Sequence, residues 1–295
     1  MIWVIGNKGM LGTQVCQTLA ENNLEYTGTD REVDICDFSS LKNFAEGKNI
    51  SWIINCAAFT DVNAAESNEE LADRLNAKAP GNIAQLAKDI GAKLIHISTD
   101  YVFDGNGSKP YKENDPTNAP LGVYGKTKLA GENAVIKNTD AYYIIRTAWL
   151  YGWAGKNFVY TMIRAMNKNE SVKVVDDQKG SPTFAFDLAM CILKIIEKSD
   201  VPYGIYHFSN MGEITWYDFT LEIKNLAEKA GLIKNTACKV FPCKTKDFPT
   251  PAKRPAYSVL CKDKITKATG IIIPDWKKSL NEFILSEKFD LSRIE

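Results

Sequence analysis

A chain of 295 residues, 45% of them hydrophobic, can bury a full core as one large or two modest domains. Its 36 basic and 36 acidic residues cancel and form no block of like charge, which excludes the usual footprint of a nucleic-acid polymer or an anionic membrane and leaves only a local basic pocket. Seven cysteines without CxxC spacing read as reduced thiols of a cytoplasmic protein, and only two histidines, His96 and His207, are present, each in a strand-like run that favours a buried, satisfied ring over a metal ligand.

The chain opens on an apolar run, Ile2–Ile5, that reads as a buried strand. Gly6-Asn7-Lys8-Gly9-Met10-Leu11-Gly12 follows and leads into a helix over Leu11–Glu21, with Leu11, Val15 and Leu19 at helical spacing. Strand, glycine loop and helix in that order suit a dinucleotide pyrophosphate. Gly6, Gly9 and Gly12 let backbone approach backbone, and the free N–H groups of the first turn meet the negative charge. Leu24–Gly28 is a second strand ending at Asp30, about 20 residues past the loop, where an acid grips the adenosine ribose and favours NADH. Arg31 beside it pulls the other way, since a guanidinium can pair with the 2′-phosphate of NADPH. Asp37 has two readings, a contact to adenine or the cap of a helix beginning near Leu41.

Trp52–Asn55 is a third strand, Leu71–Ile90 a long helix and Lys93–Ser98 a fourth strand. Leu121–Ile136 is a helix and Tyr142–Arg146 a fifth strand. Strands separated by helices predict an α/β fold: a Rossmann-type parallel sheet with helices on both faces, plus a smaller mixed α/β substrate-binding region. Beyond Trp149 the rhythm loosens. Phe158–Met166, Phe184–Glu197 and Trp216–Ala230 read as helices, Val172–Val175 and Ile205–Phe208 as strands, and residues 241–255, with four prolines, as an ordered loop. The expected division is a dinucleotide-binding domain over 1–150 and a mainly substrate-binding region over 151–295, with some later segments returning to the first sheet. Neither a signal peptide nor a membrane span is expected.

Tyr124 and Lys128 lie one turn apart on the same helix face. A phenol ionises near pH 10, roughly three units too high for free proton exchange at neutrality, and a nearby ammonium is expected to lower that value. The lysine can also hydrogen-bond the nicotinamide ribose. Ser98-Thr99-Asp100 ends the fourth strand, at the edge of a parallel sheet that faces the ligand crevice, so a hydroxyl of Ser98 or Thr99 can orient a substrate carbonyl beside the tyrosine. This is the equipment of a nicotinamide-dependent carbonyl reductase.

The glycine loop, NCAA at 55–58, STDYVFDG at 98–105 and YGKTKLAGE at 124–132 resemble the extended short-chain dehydrogenase/reductases that act on nucleotide sugars. AAFTDVNAAES at 57–67, RTAWLYG at 146–152, DDQKGSPT at 176–183, TWYDF at 215–219 and TPAKRPAYSVL at 250–260 narrow the resemblance to the dTDP-4-dehydrorhamnose reductase family, over essentially the whole chain. The resemblance implies reduction of the C4 keto group of a dTDP-sugar by NADPH or NADH, in the making of cell-surface polysaccharide. It implies Tyr124 as general acid, Lys128 as its electrostatic partner and Thr99 as the third member of the triad. Met10, Leu11, Asp30, Asp37, Phe38, Ala58, Phe59, Thr60 and Tyr101 match cofactor positions, and Thr60, Val102, Trp149 and Arg254 substrate positions. On the residues alone, Trp149 could instead be core and Arg254 a solvated loop charge. Where some relatives hold a bridging magnesium between subunits with carboxylates, Gln14 and Phe186 stand here, so a monomer without metal is expected. Two other readings remain: another nucleotide-sugar reductase, epimerase or dehydratase on the same scaffold, and a non-catalytic cofactor-binding regulatory subunit resembling that of methionine adenosyltransferase.

Overall fold

The computed structural model describes residues 1–294. The first half runs β1 (Ile2–Ile5), α1 (Met10–Glu21), β2 (Tyr26–Thr29), α2 (Phe38–Ala45), β3 (Trp52–Asn55), α3 (Val62–Ala65), α4 (Glu69–Asp73), α5 (Ala79–Asp89), β4 (Lys93–Thr99), α6 (Gly122–Asn138) and β5 (Tyr142–Thr147). The second half runs β6 (Leu150–Tyr151), α7 (Phe158–Lys168), β7 (Ser171–Val175), β8 (Lys179–Gly180), β9 (Thr183–Phe184), α8 (Ala185–Glu197), β10 (Gly204–His207), β11 (Ile214–Thr215), α9 (Trp216–Lys229), β12 (Lys239–Cys243), α10 (Asp263–Thr269) and α11 (Trp276–Leu285).

Six strands form one parallel sheet in the order β10-β5-β4-β3-β1-β2. The alternation of β1 shows why both faces are covered. Ile2 and Val4 enter a core with Leu11, Val15 and Leu19 of α1 and Leu188 and Ile192 of α8, while Trp3 and Ile5 enter another with Leu41 of α2 and Ile83 and Leu86 of α5. The chain leaves β1 to one side for β2 and returns on the other for β3. That reversal opens a crevice at the carboxyl ends of the strands. Both β10 and α8 belong to this first sheet and its cover, although they come from beyond residue 151. A third core, built on Tyr151, Phe184, Phe219 and Phe283, packs α7, α9 and α11 together.

Two expected elements differ. The helix expected over Leu71–Ile90 is interrupted by a π-helical turn at Arg74–Lys78, between α4 and α5. The segment 241–255 is not all loop, because Phe241, Pro242 and Cys243 complete β12, which pairs in parallel with β7. Pro242 is tolerated there because this two-stranded ribbon leaves an unpaired edge for a residue without an N–H.

Candidate active site

The glycine loop is a cradle that side chains would fill. Gly6 has φ +77°, and a Cβ on it would stand 2.8 Å from the Ala57 nitrogen. A Cβ on Gly12 would stand 2.0 Å from the Gly6 carbonyl oxygen. Gly9 caps α1 without a side-chain hydrogen bond, and no acid occupies the first turn. The N–H groups of Met10, Leu11 and Gly12 therefore face the crevice with positive dipole and no competitor, as a pyrophosphate requires. Leu11 itself is buried in the core, so only its main chain is left for a ligand.

Asp30 is half-buried at the end of β2, and its N–H donates to the Glu32 carboxylate at 2.9 Å. Glu32 in turn faces Lys8 of the glycine loop at 3.7 Å. Arg31 is exposed. Asp37 caps α2 through Oδ1, which accepts from the Ser39 N–H at 2.9 Å, a bond that occupies one carboxylate oxygen and does not decide the adenine contact, and Phe38 packs on the second core. The loop carrying Ala58, Phe59 and Thr60 is clamped by a residue the sequence did not reveal. Asn76, fully buried in the π-helical turn, accepts from the Phe59 N–H at 2.8 Å, donates to its carbonyl at 3.0 Å and reaches Thr127 at 3.3 Å. The sequence-level cue was absent, because a π turn leaves no hydrophobic signature.

Helix α6 brings Tyr124 and Lys128 against the end of β4. The Lys128 ammonium, 2% exposed, donates to the Ile97 carbonyl at 2.7 Å. The Thr99 hydroxyl favours the ionised form of the Tyr124 phenol and donates to Asp100 Oδ1 at 3.0 Å. Of the two hydroxyls considered, Thr99 is therefore the one at the tyrosine. Ser98 points the other way, donating to Glu132 at 2.5 Å. The expected lowering of the phenol by Lys128 is not seen. Burial pushes Tyr124 above its ordinary value, Thr99 offsets part of this, and Asp100 and Tyr101 add to it. Burial also brings Lys128 down to about 8, opposed by Glu132 and Cys56. Asp100, 3% exposed with Oδ2 unpartnered, is pushed by burial up to about 6, although Ser258 nearby and the hydrogen bond from Thr99 oppose the rise.

On the other wall, Tyr101 packs edge-on against Tyr124 with ring centres 5.4 Å apart, and Arg254 reaches the Tyr101 hydroxyl at 3.4 Å. The KRPAYS loop is tied in place by Tyr257 N–H to Gly105 at 3.0 Å and Ser258 N–H to Lys179 at 2.8 Å. Arg254 is thus half-buried beside Tyr101 rather than fully solvated. Trp149, two residues past β5, sits at φ 48° and stacks on Trp216 at 3.6 Å and 12°. Gly180 leaves room for it, since a Cβ there would come within 2.6 Å of the indole. Val102 is not brought to the crevice by its side chain. It is fully buried with Phe103, Tyr111 and Tyr257, and only its main chain is left for a ligand. Both histidines are buried and kept neutral. His207 is met by Tyr111 and Arg146, whereas His96 pairs only through Nδ1, with Asn55 at 3.1 Å.

The chain matches the family described as RmlD substrate binding domain over residues 1–288. It is 40% identical over 293 residues to dTDP-4-dehydrorhamnose reductase of Escherichia coli K12, covering 95% of this chain and 97% of that one. A dTDP-4-dehydrorhamnose reductase crystal structure from Clostridium acetobutylicum superposes with a TM-score of 0.89 at 44% identity, over 96% of this chain and 98% of that one. The Bacillus anthracis dTDP-4-dehydrorhamnose reductase in complex with NADP also gives 0.89, at 37% identity, with coverage of 96% and 98%.

Proposed function

This chain belongs to the RmlD substrate binding domain family, and from that premise we propose that it reduces the C4 keto group of dTDP-4-dehydro-L-rhamnose to dTDP-L-rhamnose, in the synthesis of cell-surface polysaccharide. The observation that carries the reading is the convergence of Thr99, Tyr124 and a buried Lys128 at the mouth of a crevice whose glycine cradle fits a dinucleotide. NADPH or NADH, held by Gly6, Gly9, Met10, Leu11, Gly12, Asp30, Arg31, Asp37, Phe38, Ala58, Phe59, Thr60 and Tyr101, supplies the hydride that adds to the carbonyl carbon. The chain supplies the rest. Tyr124 gives its hydroxyl proton to the carbonyl oxygen as negative charge builds there. A phenol kept above its ordinary pKa is fully protonated at neutral pH, the form an acid must have. The Thr99 hydroxyl, which favours the ionised phenol, steadies the phenolate left behind, while Lys128, fixed on the Ile97 carbonyl, supplies the positive charge of this wall of the crevice.

Trp149 and Arg254 suit the nucleotide and its diphosphate, the latter through charge-assisted hydrogen bonds, with Thr60 and the Val102 main chain at the sugar. In this reading residues 1–150 mainly hold the cofactor and 151–295 mainly the sugar nucleotide. No helix among the described residues is long and apolar enough to cross a membrane, and we place the enzyme in the cytoplasm. We also take it as a monomer. Gln14 is buried against its own chain, and Phe186 packs beside Trp153 and Phe184, so neither presents a carboxylate to a second subunit. The deciding experiment follows NADPH and NADH absorbance with dTDP-4-dehydrorhamnose and reads product configuration by NMR. Stoichiometric cofactor oxidation with dTDP-L-rhamnose as product supports the reading. An epimerase or dehydratase would recycle its cofactor, and a regulatory subunit would turn nothing over.

A further inference from the structure

Successive turns of α6 meet the end of β4. Lys128 donates to the Ile97 carbonyl, Glu132, one turn further along, accepts from Ser98 Oγ at 2.5 Å, and Tyr124, one turn back, carries a phenol whose ionised form the Thr99 hydroxyl favours. Tyr124, Lys128 and Glu132 stand at successive four-residue steps on one helix face. Glu132 is 1% exposed, and Arg146 holds it from β5 with both prongs, Nε to Oε1 at 2.9 Å and Nη2 to Oε2 at 2.7 Å. Arg146 is itself fixed. It pairs in register with Ser98 on one side and His207 on the other, lies over the Phe103 ring at 5.1 Å and donates to the Glu113 carbonyl at 3.4 Å.

We infer that Glu132 is a positioning residue of the reaction, locking the strand end that carries Thr99 to the helix that carries Tyr124 and serving as the counter-charge of Lys128. This rests on the reductase reading above. The other titratable groups that face the ammonium do not fill that role. Cys56, at the end of β3, is held as a neutral thiol by burial, and His96 on β4 is held neutral in the same way. Tyr124 is a neutral phenol, and Arg146 carries like charge. Glu132 opposes the effect of burial on Lys128, so its loss lowers the pH at which the ammonium is surrendered.

The experiment compares Glu132→Gln with Ser98→Ala. Glu132→Gln is expected to lower kcat by roughly 10- to 100-fold, the scale of a misplaced catalytic group, with cofactor Kd unchanged. It should also move the basic limb of the kcat–pH profile down by roughly one unit. Ser98→Ala removes the tie but keeps the charge, so kcat falls while the limb stays. A merely structural ion pair would lower the unfolding midpoint and leave both the limb and kcat of the folded fraction at wild-type values, which overturns the inference. If Glu132→Gln does not fold, the double variant Glu132→Gln, Arg146→Gln removes both charges together and is expected to move the limb in the same direction but less, because the like charge of Arg146 goes with the counter-charge. The 13Cε titration of Lys128, assigned by its loss in Lys128→Met, reads the counter-charge without turnover. A wild-type enzyme that fails to reduce the keto sugar therefore sinks the reaction assignment alone, while an unshifted Lys128 titration sinks this inference alone.

Discussion

Gly180→Ala isolates what Trp149 does. The added methyl would lie 2.6 Å from indole Cε2, 2.7 Å from Cζ2 and 2.8 Å from Nε1. Ordinary carbon contacts begin near ~3.5 Å, so the ring must retreat by roughly 0.9 Å or the strand must yield. Retreat works against the 3.6 Å stack on Trp216, an aromatic contact worth about 0.5–1.5 kcal/mol beyond its burial. The methyl itself adds overpacking strain of about 1–3 kcal/mol to stability. Trp149 is already at φ 48°, so its backbone has little freedom to absorb the shift.

If Trp149 contacts the nucleotide sugar, losing its position costs about 1.4 kcal/mol of substrate binding, and KM for the keto sugar rises about tenfold. Cofactor affinity should not change, because the three atoms nearest the added methyl all belong to Trp149. Steady-state kinetics, a fluorescence titration with NADPH and a urea unfolding curve give the three numbers. A lowered unfolding midpoint with unchanged KM would return Trp149 to the core and refute the substrate role. An equal loss of cofactor affinity would show that the disturbance had spread beyond the sugar side.

Tyr124→Phe should keep the fold and cofactor Kd while lowering turnover by about 100-fold or more, checked by single-turnover reduction. Arg31→Ala should weaken NADPH more than NADH, because only NADPH offers a 2′-phosphate to an exposed guanidinium; equal effects on the two Kd values would place Arg31 elsewhere. Asp100 rises from its ordinary 3.8 to about 6 on folding, so folding takes up a proton between those values and stability falls as pH rises through that window. Asp100→Asn removes the slope, and it should gain up to about 3 kcal/mol relative to wild type at pH ~7.5 and nothing near pH ~3.5, read from urea midpoints. Light scattering with chromatography, with and without EDTA and magnesium, should return one monomer mass throughout. A dimer that dissociates on chelation would reveal carboxylate ligands at other positions.

What the sequence disclosed and what it hid divide along a physical line. Periodicity located β1, α1, β3, β4 and β5 within a residue or two, because a strand buried on both faces and a helix with one apolar stripe write their burial into their composition. The glycine cradle was legible for a related reason: Gly6 needs a positive φ, and Gly12 must pass within touching distance of another backbone. Contacts between distant segments leave no such trace. The clamp of Asn76 on Phe59 spans 17 residues, and its approach to Thr127 spans 51. Trp216 and Trp149 meet only because α9 and the segment after β5 pack together.

The ionisation of Tyr124 was misjudged for the same reason. Spacing placed an ammonium one turn away but could not show that its nitrogen turns to the Ile97 carbonyl, leaving burial to set the phenol. Glu132 is the instructive intermediate case. Its four-residue step from Lys128 is visible in YGKTKLAGE, and so is an arginine in RTAW, but pairing them needs the register that sets Ser98 beside Arg146. A side chain's helix face can be read from one dimension. Its charge partner depends on which strand lies next to which, and that ordering was fixed only when β5 took its place beside β4.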